Sequence, residues 1–329
     1  MLQSFQQKWI NLASEKLGAK AIECSDDFFA PMARMLSDAE PVFIEGKYDE
    51  NGKWMDGWES RRKRVEGHDF CIVELCKAGK IHGVDIDTRH FAGNHAPSAS
   101  LEACYSPNAK PDTNTDWTSL VEPTTLQGDA QHPIEITSND LFTHVRLNIF
   151  PDGGVARLRI YGSPEHDWES HDRNSLIDLA ASLHGGRAIV CNNEHFGSMH
   201  NLLAPGRGVN MGDGWETRRR REPGFDWVIV ALGHAATVKN IEIDTAHFKG
   251  NFPHQCSVQG AYMPNIDENS LSQQSLFWKE LLPKQLMQMD HIHQYELEVR
   301  EIGPITHARL NIYPDGGVSR LRLNGLIAD

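Results

Sequence analysis

The stretch THVRLNIFPDGGVARLRIYG at residues 143–162 returns as THARLNIYPDGGVSRLRLNG at residues 306–325. Local propensity does not write twenty positions twice, so the chain is a tandem repeat. In the first copy Val145, Leu147 and Ile149 alternate with Arg146 and Asn148, and Pro151-Asp152-Gly153-Gly154 then turns the chain. A second alternation sets Ala156, Leu158 and Ile160 against Val155, Arg157 and Arg159. Strands place successive side chains on opposite faces and Asp-Gly is a strong turn signal, so the stretch reads as a hairpin present in two copies.

Further pairs lie outward from it. DGWESRRKR (56–64) recurs as DGWETRRRR (213–221), DIDTRHFAGN (85–94) as EIDTAHFKGN (242–251), and CSDDFFAPM (24–32) more loosely as CNNEHFGSM (191–199). The offset between copies is 167 at Cys24/Cys191, 157 from Asp56/Asp213 to Asn94/Asn251, and 163 at Thr143/Thr306. Copy one therefore carries an insertion within 37–55 and copy two one within 252–305, as expected of surface loops flanking a fixed middle. The polar stretch PEHDWESHD (164–172) reads as the linker, which gives domains 1–165 and 166–329.

Each half is long enough to bury its own core. With 40% hydrophobic residues and no long apolar window, the chain reads as a soluble globular protein with no membrane span. The N-terminus lacks a signal-peptide core. Lys plus Arg at 32 against Asp plus Glu at 45 leaves a net charge of −13, which argues against a nucleic-acid surface. The six cysteines show no ligand spacing and read as reduced core thiols of a cytoplasmic protein.

Residues 2–17 and 170–184 have helical character, the second through Leu176, Leu179, Ala180 and Leu183, so each repeat is expected to open with a short helix ended at Gly18 or Gly185. FCIVELC (70–76) and DWVIVAL (226–232) are apolar runs of strand length, followed by the alternating IHGVDID and VKNIEID. Several short strands with Gly/Pro/Asn/Asp turns predict an all-β-dominated chain of two antiparallel jelly-roll sandwiches.

Two motifs carry candidate chemistry. In DGWE(S/T)RR the turn, the buried Trp and the basic run have a purely structural reading. Against it, Arg61, Arg62, Arg218 and Arg219 suit bidentate capture of a carboxylate, and Glu59 and Glu216 beside them suit proton transfer. In IDTxHFxGN, Asp87 with His90 and Asp244 with His247 fit three roles: a base and its orienter, a metal pair, or a fixed loop. The PDGG turn reads as a backbone requirement. The copies are chemically unequal, since His68, Glu74, His95 and Glu102 face Phe225, Ala231, Phe252 and Gln259. One copy working beside a scaffold, and a site between the copies, both remain open.

Taken together, DGWESRRKR with HDFCIVEL, IDTRHFAGN, the PDGG stretch and their second copies, including PGRGVNMGDGWETRRRR, resemble the allantoicase (allantoate amidinohydrolase) family over almost the whole chain. The resemblance implies two jelly-roll modules of galactose-binding-like (discoidin-like) type and a homo-oligomer. It also implies hydrolysis of allantoate to ureidoglycolate and urea. Allantoate presents one carboxylate and two ureido groups, so Arg61, Arg62, Arg218 and Arg219 are expected on the carboxylate and Asn94 and Asn251 on the amides. Glu59, Asp87, His90, Glu216, Asp244 and His247 are the candidate acids and bases. This scheme calls for no metal or other cofactor; Asp85, Asp87 and His90 as ligands of a divalent ion are its rival. The rival from another class is a tandem galactose-binding-like module that binds a ligand without transforming it.

Overall fold

A computed structural model describes residues 4–328. It divides into two compact units, Met1–Glu165 and His166–Asp329. The principal strands of the first are β1 (Lys20–Cys24), β2 (Asp69–Asp87), β3 (Ser98–Cys104), β4 (Thr118–Thr125), β5 (Gln131–Glu135), β6 (Phe142–Phe150) and β7 (Arg157–Pro164). The second repeats them as β8 (Arg187–Cys191), β9 (Asp226–Asp244), β10 (Gln255–Ala261), β11 (Lys279–Leu286), β12 (Ile292–Tyr295), β13 (Ile305–Tyr313) and β14 (Arg320–Ile327).

The apolar run from residue 70 and the alternating run that follows it form one 19-residue strand, β2. Its first half lies between β1 and β6, with Cys71 opposite both Cys24 and Leu147. Its second half lies between β7 and β5, with Ile86 opposite Leu158 and His132. The ladder shifts register around Gly79, and the strand passes there from one layer of the sandwich to the other. The layers are thus β4-β3-β6-β2-β1 and β7-β2-β5, with Ile10–Asn11 at the edge beside β7. Val73, Leu75, Val145 and Leu147 of one layer pack with Val84, Ile86, Leu158 and Ile160 of the other around Trp58. The second unit repeats the plan about Trp215. Each unit is a jelly-roll sandwich.

The PDGG stretch is not a hairpin. β6 pairs with β2 and β3, β7 pairs with β2 and Ile10–Asn11, and the two do not pair with each other. The turn is an arch between layers. Its backbone groups are engaged elsewhere: Gly154 N donates to Asn94 O (2.8 Å) and Ala156 N to Asp87 O (2.7 Å), while Gly154–Val155 pairs with Trp58–Glu59. Alternation and a turn signal are common to hairpins and arches, and only long-range pairing separates them.

Residues 2 and 3 of the first expected helix lie outside the described residues; of 4–17 only Ser4–Lys8 is helical, and Ile10–Asn11 pairs with β7 instead. In 170–184 only Ser182–His184 is helical, as a short 3₁₀ turn capped by Gly185 at φ 88°. Ile177–Asp178 instead pairs with β14. So short a segment gains more from ladder hydrogen bonds than from an isolated helix, whose nucleation is costly. The six cysteines are unpaired. No helix among the described residues is long and apolar enough to cross a membrane.

Candidate active site

The DGWE motif docks on the arch through nearly every residue. Asp56 Oδ2 pairs with Arg157 Nη2 (2.7 Å), whose side chain is 1% exposed. Trp58 is fully buried, and its Nε1 donates to Asp26 O (2.8 Å). Ser60 N donates to Gly153 O (3.1 Å), and Gly153 N to Ser60 Oγ (3.2 Å). The second unit repeats these contacts: Arg320 Nη2 to Asp213 Oδ2 (2.8 Å), Trp215 Nε1 to Asn193 O (2.9 Å) and Gly316 N to Thr217 Oγ1 (3.1 Å). Duplication of the Asp, the Trp and the Ser/Thr is therefore explained by scaffolding.

Glu59 and Glu216 are the members of the motif left for other work. Asn94 Nδ2 donates to Glu59 Oε1 at 2.8 Å, and Asn251 Nδ2 to Glu216 Oε1 at 2.5 Å. The fold thus joins a candidate acid/base to a candidate amide ligand thirty-five residues away in each copy. Burial lifts the Glu59 carboxyl above the usual carboxylate range, opposed by the Asn94 hydrogen bond and the charge of Lys53.

Alternate members of the basic run have different fates. Arg61 pairs with Asp26 (2.6 Å) and Lys63 with Asp69 (2.6 Å); Arg218 pairs with Glu222 (3.0 Å) and Arg220 with Asp226. Between them, the exposed side chains of Arg62 and Arg219 have no hydrogen-bond or ion-pair partner among the described residues. The exposed side chains of Arg64 and Arg221 are likewise without a partner among the described residues, and Arg219 is the unpaired member of the second run that lines a cleft.

The IDTxHFxGN loop is held from several sides. Asp87 is fully buried, and its carboxylate accepts from Arg89 N (2.8 Å) and Arg89 Nη2 (2.6 Å). Arg89 comes from the same loop, whereas Asp244 accepts from Arg207 Nε (3.0 Å), and Ala246 stands where copy one has Arg89. His90 and His247 adopt φ 70°, and their Nε2 atoms bond to the carbonyls of Pro41 (3.0 Å) and Gly208 (2.7 Å). Neither Asp bonds to its His. Phe91 and Phe248 are buried beneath the arch glycines, and Gly154 N and Gly317 N hold Asn94 O and Asn251 O at 2.8 Å. Of the rival metal ligands, Asp85 accepts from Gln131 Nε2 and His132 N (3.0 Å each), Asp87 is closed by Arg89 and His90 is on Pro41. Those three side chains are committed to different partners.

In the second unit the pieces surround a cleft of about 510 Å3, walled by Glu216, Arg219, Arg220 and Asn251, by His254 and by Pro314-Asp315-Gly316 of the arch. Arg218, Asp244 and His247 are not among its walls. Three features here escaped sequence reading. Arg220 and His254 carry no signal beyond residue type, and the arch looked like backbone geometry alone. Its cleft-facing role follows from the register of Gly317 opposite Glu216, which no local pattern encodes. The unequal pair His68/Phe225 is resolved as well: the rings pack at a tilt against Phe150 (4.7 Å) and Tyr313 (4.8 Å), a packing role that either ring serves.

Each jelly roll carries a carboxylate, an amide bonded to it and, in the same basic run, an unpaired guanidinium, a set of groups whose chemistry is complementary to a small anionic, amide-bearing molecule. The allantoicase repeat model matches residues 10–165 and 177–328. The chain is 55% identical over 323 residues to probable allantoicase 1 of Burkholderia mallei, covering 98% of this chain and 96% of that protein. It is 54% identical to the probable allantoicase of Pseudomonas savastanoi pv. phaseolicola, covering 98% and 97%. The crystal structure of allantoicase from Saccharomyces cerevisiae superimposes with a TM-score of 0.83 at 34% identity, covering 97% of this chain and 94% of that one. The chain belongs to the allantoicase family.

Proposed function

We propose that the protein hydrolyses allantoate to ureidoglycolate and urea by metal-free acid/base chemistry at its Glu–Asn pairs, Glu59–Asn94 and Glu216–Asn251. The observation that carries this reading is the pairing of each Glu with an Asn, together with a guanidinium free to take a carboxylate: Arg219 in the same cleft wall as Glu216 and Asn251, and Arg62 three residues after Glu59 in the chain. Asn94 or Asn251 orients a ureido group. The carboxyl of the pair protonates the departing ureido nitrogen, the neighbouring nitrogen closes to an imine-like centre, and water adds to it. A carboxyl raised by burial, as Glu59 is, holds its proton nearer neutrality, as that step needs.

Asp87, His90, Asp244 and His247 serve this chemistry indirectly by fixing the loop that presents the Asn; Arg61 and Arg218 are bound to Asp26 and Glu222 and so are not assigned to the substrate. Relatives at about 55% identity that are named as enzymes support turnover over a binding-only module. Incubation of the purified full chain with allantoate is expected to yield urea and ureidoglycolate in equal amounts; binding without turnover would establish the other reading. Unpaired thiols support a cytoplasmic setting. Exposed Phe277 (89%) and Leu297 (97%) support a homo-oligomer, to be checked by light scattering.

A further inference from the structure

The two Glu–Asn sites differ in their supply of imidazole. In the first unit Pro97 stands where the second has His254, and the nearest imidazole in sequence, His95, has its Nδ1 on Ala92 O (3.2 Å). In the second unit Phe252 replaces His95, and His254 enters the cleft wall three residues beyond Asn251. Its backbone is pinned on both sides, His254 N donating to Tyr313 O (3.0 Å) and Met287 N to His254 O (3.0 Å). Its exposed imidazole has no hydrogen-bond partner among the described residues. The charged groups around it in the cleft are Glu216, Arg219 and Arg220 on the basic segment and Asp315 on the arch. Arg220 is held by Asp226 and Glu222, and Asp315 Oδ2 accepts from Arg220 N (2.9 Å), which leaves Glu216 and His254 as the proton-transfer groups of the wall.

From this we infer that His254 is a catalytic residue of the second cleft, the general base paired with the acid Glu216; the inference rests on the reading that these clefts hydrolyse allantoate. Glu216 gives its proton to the leaving ureido nitrogen as the carbon–nitrogen bond breaks, and urea departs. The lone pair of the remaining ureido nitrogen forms a carbon–nitrogen double bond, giving a cationic iminium centre. Water adds to that carbon and loses a proton to neutral His254, forming ureidoglycolate. Transfer of that proton from His254 to Glu216 restores both groups, so allantoate and one water are consumed for one ureidoglycolate and one urea. An imidazole suits the base because one ring nitrogen can accept the proton of the water while the other already carries its own.

The test is urea release by the full chain across pH 5 to 9 in the E59Q background, which silences the first site. E59Q is expected to retain turnover whose rate falls on the acid side as an imidazole is protonated. Adding H254N or H254Q is expected to lower kcat about a hundredfold or more, with KM changed by less than about threefold and the acid-side fall abolished. The inference is overturned by loss of all activity in E59Q, by His254 variants with unchanged kcat, or by reduced kcat with the acid-side fall intact. Wild-type protein inert towards allantoate, with and without divalent ions, would instead overturn the proposed function itself.

Discussion

Arg157 shows how one side chain couples the two repeated motifs. Its guanidinium spends its donors on Asp56 Oδ2, Asp56 O (2.9 Å) and Ala39 O (2.9 Å), so the DGWE turn and the loop before it are both anchored to β7. Breaking a buried pair from one side strands a charge, at a cost of about 3–5 kcal/mol. Arg157→Leu is therefore expected to lower unfolding free energy by that order in urea titrations, whereas Arg62→Leu, exposed and unpaired, should leave stability unchanged and raise KM for allantoate. A second residue sets an acid limit. Burial, helped by the charge of Arg187 and opposed by Glu268, pulls His307 down to about 4. Its neutral form is the folded form, so its contribution is complete above the ordinary histidine value near 6.5 and is lost as pH falls towards 4. Chemical denaturation at pH 7.5 and pH 4.5 should show His307→Gln losing less stability than wild type over that interval, by up to about 3 kcal/mol. Equal losses in the two proteins would remove His307 from the account.

Among the elements, the arch governs the site. Gly153 and Gly316 sit at φ 136° and 138°, a region that favours glycine, and their neighbours Gly154 and Gly317 lie directly on buried phenylalanine rings. A Cβ on Gly317 would stand 2.0 Å from Phe248 Cε1. Gly317→Ala must therefore displace either Phe248, which supports the Asn251 loop, or the strand that pairs Gly317 with Glu216. A destabilisation of about 1–3 kcal/mol is expected from such overpacking, together with a fall in kcat larger than the change in KM, because the Glu–Asn geometry shifts. Thermal melts and steady-state kinetics on the same preparation check both.

At the scale of the whole molecule, duplication preserved a scaffold more faithfully than a site. The Trp, the Asp–Arg pair and the Ser/Thr bond to the arch recur with nearly the same distances, while the surroundings of the Glu–Asn pair have diverged. Because Asp85, Asp87 and His90 are each committed to other partners, dialysis against a strong chelator is expected to leave urea release unchanged. A lasting loss restored by an added divalent ion would defeat the metal-free scheme.

The sequence by itself determined the duplication, the β character and the loop position of the IDTxHFxGN motif, and it offered Glu, Asp, His, Asn and Arg as candidate reactive residue types. All of these are local or repeated patterns, readable from periodicity, turn residues and self-similarity. Tertiary structure decided that the PDGG stretch is an arch, that Asp87 and Asp244 are closed by arginines from different places, that Arg62 and Arg219 stay unpaired between paired neighbours, and that His254 enters a cleft. Each of these depends on which distant segment occupies the other side of a strand or loop. Alternation along the chain states only that a side chain faces one way or the other, not what it meets there.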